Sequence, residues 1–103
     1  MATNEYKLIF PKDFDERAEY EAEERGLLDY VKVQLGNQYT YDVCFFTPAR
    51  ILVELDLIRQ AGEDCFAEPG LIVIPAITRP EMEKAVAFLA KSGYFKRLQP
   101  SNS

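Results

Sequence analysis

Two stretches of alternating residues, separated by a short polar loop, constrain the fold of this chain most strongly. LLDYVKVQL (27–35) and YTYDVCFF (39–46) both show the two-residue period that is typical of a β-strand. Gly36, Asn37 and Gln38 stand between them, and the sequence therefore predicts a β-hairpin. A helix continuing through Gly26 into the first stretch is less favourable, because an interior glycine costs a helix about 1 kcal/mol.

The register of this hairpin follows from which side chains it buries together. A loop centred on Asn37 pairs Val33 with Tyr41 and Val31 with Val43, whereas a two-residue turn sets Val31 against a carboxylate. We therefore expect the loop centred on Asn37, with these four residues on the core face of the sheet.

The opposite face, which we call the second sheet face, supports the same register. Lys32 falls opposite Asp42 there, and opposite charges at paired positions are mildly favourable. The other pairs predicted on this face are Tyr30 with Cys44 and Leu28 with Phe46.

Three helices are predicted from their capping residues. Each begins at an Asp or Thr and ends at or near a glycine, the pairs being Asp13 and Gly26, Thr47 and Gly62, and Thr78 and Gly93. The core stripe expected of the second helix is Ile51, Leu52, Leu55 and Ile58. Val53 and Leu57 fall on its flanks, so we expect this helix to contact more than the sheet.

The remaining elements complete an α+β pattern. EYKLIF (5–10) predicts a first strand, and LIVIPAI (71–77) predicts a strand buried on both faces that Pro75 confines to an edge or a strand end. The order β-α-β-β-α-β with an additional C-terminal helix resembles the ferredoxin-like split β-α-β plan, which implies an antiparallel sheet with helices mainly on one face. We expect a single domain over residues 1–98 and a disordered tail over 99–103, whereas YFKRL (94–98) fits either a short strand or a docked tail.

Composition excludes several classes of function. The net charge of −5 and the isoelectric point near 4.7 disfavour nucleic-acid binding, which depends on clustered Lys and Arg. No apolar run approaches the roughly 20 residues of a membrane span, and the N-terminus lacks a secretion signal, so we expect a cytoplasmic protein. Histidine is absent, and Cys44 and Cys65 form no metal-binding pair. We therefore expect no metal and no cofactor, and an enzyme is the less favoured interpretation.

The acidic stretch DFDERAEYEAEER (13–25) is the first candidate functional surface. Its seven acids and two arginines carry a net charge of −5, which equals that of the whole chain. Either this helix is simply solvated and supported by pairs such as Glu21 with Arg25 and Asp13 with Arg17, or it docks a basic partner. The second alternative predicts a non-enzymatic protein-interaction module, an adaptor or neutralising protein. Its predicted partner-binding residues are Asp15, Glu16, Glu19, Glu23 and Glu24.

The second sheet face is the other candidate. An open cluster of large apolar side chains is unusual for a monomer, and we therefore expect a homodimer through this face. The alternative function is a dimeric small-molecule sensor or modest enzyme with a pocket at the open face. The residues predicted for the dimer or ligand face are Leu28, Tyr30, Lys32, Cys44 and Phe46.

Overall fold

The computed structural model describes residues 6–36, 39–98 and 100. Its elements are β1 (Tyr6–Ile9), α1 (Glu16–Arg25), β2 (Leu27–Leu35), β3 (Tyr39–Phe46), α2 (Pro48–Gln60), β4 (Leu71–Val73), α3 (Arg79–Ser92) and a 3-10 turn over Tyr94–Arg97. The predicted α+β class is confirmed. Asn37 and Gln38 of the predicted loop, Glu5 of the predicted first strand and the predicted tail other than Pro100 lie outside the described residues.

The four strands form one open mixed sheet in the order β1-β2-β3-β4. β1 and β3 both pair antiparallel with β2, whereas β3 and β4 are parallel. The predicted antiparallel sheet is therefore wrong, and the ferredoxin-like strand order is not found. The sheet is mixed because β3 and β4, the strands before and after α2, are parallel neighbours. The strand order differs because β1 pairs directly with β2, with Leu8 opposite Val33, so that α1 lies in the connection of an antiparallel pair. Local periodicity cannot distinguish this pairing from a split β-α-β unit.

The core lies on one face of the sheet, beneath α1 and α3. Met82 and Val86 of α3 are fully buried there, as Ala22 of α1 is. The 3-10 turn adds Phe95, whose ring lies 5.4 Å from that of Tyr41. The segment YFKRL (94–98), for which the sequence allowed either a strand or a docked tail, therefore docks on the core. The sheet residues buried in this core are Leu28, Val31, Val33, Tyr41, Val43, Phe45 and Ile72.

The predicted register of the hairpin is confirmed over most of its length. Val33 lies opposite Tyr41, Val31 opposite Val43 and Lys32 opposite Asp42.

Near the start of β2 a β-bulge interrupts this register. Leu28 pairs with Phe45, so that Asp29 and Tyr30 together face the single residue Cys44. Tyr30 takes a left-handed conformation with φ 64°. The extra residue turns Leu28 into the core, and the predicted pairing of Leu28 with Phe46 is therefore wrong.

The capping predictions hold for two of the three helices. Thr47 and Thr78 cap α2 and α3 by accepting hydrogen bonds from the backbone N–H groups of Arg50 and Glu81. α1 begins later than predicted, because Asp15 and not Asp13 accepts the hydrogen bond from the Ala18 N–H. No helix in the described ranges is long and apolar enough to cross a membrane.

α2 contributes no residue to the core. Leu52 and Leu55, predicted as part of its core stripe, are exposed, at 69% for Leu52. Val53 and Leu57 are also exposed. The prediction of a strand buried on both faces is likewise wrong for Val73, which lies exposed on the edge strand β4. The molecule therefore keeps a markedly apolar surface on α2.

Candidate functional site

The outward side of α1 carries three carboxylates around one aromatic ring. Glu16, Tyr20 and Glu24 recur at every fourth position and so lie along one line of the helix, with Glu23 beside Tyr20. All four residues are exposed, Tyr20 at 62%. None of the three carboxylates makes a hydrogen bond or ion pair with any described residue. We call these four residues the acidic helix surface.

The other two predicted partner-binding residues make internal contacts. Asp15 caps α1, its Oδ1 accepting from the Ala18 N–H at 2.9 Å. Glu19 faces α3, where its Oε2 accepts from the backbone N–H of Arg79 at 2.9 Å and its Oε1 pairs with the Arg79 Nε at 3.2 Å. The sequence groups five acids, and the structure leaves three of them exposed and without a partner among the described residues.

Arg79 fixes the orientation of α1. Its guanidinium lies 4.7 Å from the centre of the Phe10 ring and 4.9 Å from that of Phe14. The same group donates a hydrogen bond of 2.9 Å to the carbonyl oxygen of Phe14. Because Arg79 is the first residue of α3, this cluster joins the acidic helix to the element that covers the core. The acidic helix surface is therefore held on a fixed support.

The arginines of α1 neutralise less of its charge than the sequence pattern suggested. Arg17 pairs with Glu21 at 3.3 Å, in place of both predicted pairs, Asp13 with Arg17 and Glu21 with Arg25. Both members of that pair are well exposed, so its contribution to stability is small. Arg25 makes no ion pair within the described part of the chain and lies at the opposite end of α1 from Glu16.

The second sheet face carries an open cleft. Tyr30, Lys32 and Cys44 line a cavity of about 630 Å³ together with Asp29, Asp42 and Glu68. Lys32 Nζ is 2.6 Å from Asp42 Oδ1 across the hairpin. Three of the residues predicted for a ligand face are thus brought together, whereas Leu28 lies in the core.

Phe46, the fifth residue predicted for that face, lines an adjoining cavity of about 320 Å³. Its ring meets that of Phe66 edge-on at 5.3 Å. Arg50 and Glu54 of α2 line the same cavity, so α2 and the loop before β4 partly cover the second sheet face.

Cys44 forms part of the cleft wall as a protonated thiol. Burial, followed by the neighbouring carboxylates of Glu68 and Asp29, raises the pKa of this thiol to about 11. At neutral pH the group is therefore not a thiolate and has little nucleophilic character. Cys65 is exposed. Within the described ranges, no group of three or more His, Cys, Asp or Glu residues could hold a metal ion.

Comparisons of this chain with protein-family models, with curated proteins and with solved structures find no match. The assignment of a function therefore depends on the geometry of the chain itself. Sequence reasoning missed Tyr20, although its spacing of four residues from Glu16 and from Glu24 places it among the carboxylates. It placed Val53 and Leu57 on the flanks of α2 and predicted that this helix contacts more than the sheet. Both side chains are exposed, and that further contact stays a prediction.

Proposed function

We propose that this protein is a non-enzymatic interaction module that binds a basic protein partner through the acidic helix surface. The observation that carries the proposal is the absence of partners for the carboxylates of Glu16, Glu23 and Glu24 among the described residues, around the exposed ring of Tyr20. Within the described part of the chain no cation pairs with these three acceptors, and Arg79 holds their helix in place.

Both groups on this surface are suited to lysine and arginine. A cation above the ring of Tyr20 gains about 0.5–1 kcal/mol at an exposed site, and an exposed ion pair adds about 0.2–1 kcal/mol. Several such contacts give moderate affinity, while the single-sign charge accelerates association and makes it sensitive to salt. An adaptor or neutralising protein fits these properties.

The test is binding of a fluorescent oligolysine peptide, followed by anisotropy at about 0.05 M and about 0.3 M ionic strength. We compare the native chain with the triple variant E16K/E23K/E24K, in which Glu19 is kept so that the Arg79 cluster stays intact. We expect the native chain to bind at low salt and the variant to lose at least about tenfold in affinity, a difference of about 1.4 kcal/mol.

The matched control is D56K/E63K/D64K, which changes the net charge equally but alters exposed acids away from α1. If this control loses as much affinity as the first variant, binding follows net charge and not a site. That outcome, or no binding by the native chain, contradicts the proposal.

A second candidate function is binding of a small cationic molecule in the cleft of the second sheet face. The observation that favours it is the volume of about 630 Å³, within the range of small-molecule sites, with Asp29 and Glu68 making no ion pair among the described residues. The raised pKa of Cys44 makes its thiol a poor nucleophile, and the role proposed for this cleft is binding. A thermal-shift screen of small amines tests it, since a ligand of the folded state raises the melting temperature. No shift with any amine, or an equal shift in D29N/E68Q, contradicts it.

Dimer formation through the second sheet face stays a prediction. With Leu28 in the core and Cys44 and Phe46 covered, the exposed apolar or aromatic side chains there are Tyr30 and Val73. Light scattering of the native chain and of Y30D/V73D measures whether a dimer forms and whether it uses this face. A monomer across the concentration series, or a dimer that persists in the variant, contradicts the prediction.

A further inference from the structure

The C-terminal end of α1 meets the N-terminal end of α2 along a groove. The residues that line it are Glu23, Glu24, Arg25, Gly26, Thr47, Ala49, Arg50 and Val53, around a volume of about 370 Å³. One wall carries carboxylates of the acidic helix surface, and the other begins the apolar surface of α2. Charge and apolar area are therefore contiguous here.

The junction of the two helices sets the shape of this groove. Gly26 ends α1 with φ 76°, and its carbonyl oxygen accepts a hydrogen bond of 2.9 Å from the Thr47 N–H. A Cβ atom at Gly26 would lie 2.7 Å from the Thr47 Oγ1 and 3.1 Å from the Arg50 Cβ. The close approach of the backbones therefore holds the acidic wall against the apolar wall.

The apolar wall extends along α2 for two further turns. Ala49, Val53 and Leu57 recur at every fourth position and so lie along one side of the helix. Val53 is 47% and Leu57 51% exposed. Leu52 points to another side of α2, because successive residues are rotated by about 100°.

We propose that this groove binds a basic amphipathic helix of a protein partner. The apolar side of that helix lies along Ala49, Val53 and Leu57, and its lysines or arginines contact Glu23 and Glu24. Charge complementarity selects the occupant, because Glu23 and Glu24, next to the apolar wall, make no ion pair with any residue that the structure describes. Arg50 is held by Glu54 at 2.9 Å, whereas Arg25 lines the groove as an exposed cation and lowers its net negative charge. The inference rests on the proposed function and specifies its partner.

The test uses two peptides of identical leucine, lysine and alanine content, each about four helical turns long. In the patterned peptide the leucines form one stripe, and in the scrambled peptide they are dispersed. Calorimetric titration measures binding of both peptides to the native chain, to V53E/L57E, to E16K/E23K/E24K and to the control L52E. L52E places a glutamate on another exposed side of α2, adding one negative charge where V53E/L57E adds two. Circular dichroism checks that each variant is folded.

We expect the native chain to bind the patterned peptide about tenfold more tightly than the scrambled one. V53E/L57E should abolish this difference in affinity, and L52E should retain it. If both peptides bind equally and only E16K/E23K/E24K weakens their binding, the groove is not the binding site for an amphipathic helix. The proposed function is then unaffected. No binding of either peptide overturns both. A native chain that dimerises, and that V53E/L57E makes monomeric, identifies a second copy as the occupant and also overturns the inference.

Discussion

Glu19 and Arg79, sixty residues apart, join the acidic helix to the start of α3. One carboxylate oxygen of Glu19 accepts from the Arg79 backbone N–H, and the other pairs with the guanidinium. Since the first N–H groups of a helix lack partners within it, Glu19 both caps α3 and binds its first side chain. The most acidic segment of the chain is thus held by one of its own carboxylates, while its outward carboxylates have no ion-pair partner in the described ranges.

Removal of Arg79 should destabilise the fold appreciably. The R79A variant loses a charged hydrogen-bond pair and the contacts with the rings of Phe10 and Phe14, which together contribute about 2 kcal/mol. The exposed pair of Arg17 with Glu21 provides the control, and R17A should cost less than about 0.5 kcal/mol. Urea unfolding of both variants measures the difference, and equal losses would show that the Arg79 cluster is not a structural joint.

Gly26 should tolerate alanine poorly. An alanine at this position must adopt a positive φ, and its Cβ atom would clash with the hydroxyl of Thr47. We therefore expect G26A to lower the free energy of unfolding by at least about 2 kcal/mol. Gly93 ends α3 with a similar φ of 81° but has open space around it, so G93A should cost only about 1 kcal/mol. If thermal unfolding gives the same loss for both, the close approach of α1 and α2 is wrong.

Cys44 should make stability depend on alkaline pH. Its pKa is raised from 9.0 to about 11 in the folded chain, so between these values the unfolded chain releases a thiol proton that the folded chain retains. The free energy of unfolding therefore falls as pH rises through this window, and is unaffected by this group below it.

The measurement is urea unfolding of the native chain and of C44A at about pH 8 and about pH 10.5. C44A removes the thiol and also its contribution to the raised pKa of Tyr94, so the difference between the two proteins reports on Cys44 together with this neighbour. We expect the native chain to lose more stability than C44A over this interval. An equal loss would mean that the folded environment does not retain the Cys44 proton.

The left-handed conformation of Tyr30 predicts an unusual tolerance of glycine. At φ 64° a non-glycine residue costs about 1 kcal/mol, and the side chain is 82% exposed, so few contacts are lost on its removal. We expect Y30G to be as stable as the native chain or more stable by up to about 1 kcal/mol, and Y30V to be less stable. Chemical denaturation that finds Y30G clearly weaker than Y30V would rule out the bulge.

Local patterns predict the parts of this fold that depend on neighbouring residues. The pairs Val33 with Tyr41 and Lys32 with Asp42 follow from the alternation of residues around one loop. The positions of Thr47 and Thr78 at the starts of α2 and α3 follow from capping chemistry. The strand order and the partner of Glu19 depend on segments that are far apart in sequence, and no period of two or of 3.6 residues encodes them.

The candidate site was predictable to a similar extent. Glu16, Glu23 and Glu24 belong to the acidic stretch, but the internal contacts of Asp15 and Glu19 depend on the cap position and on the placement of α3. The bulge at Tyr30 is a tertiary feature as well, because it allows Leu28 to join the core beside Ala22. Sequence alone therefore indicates the acidic helix but not which of its carboxylates face outward.

Amide chemical-shift mapping with the patterned basic peptide tests the central claim most directly, because it locates the contact without altering the protein. We expect the largest shift changes on α1 between Glu16 and Glu24, continuing onto α2 between Ala49 and Leu57, and decreasing with added salt. Changes concentrated instead at Asp29, Cys44 and Glu68 in the cleft, or no changes at saturating peptide, would contradict the assignment of partner binding to the acidic helix surface.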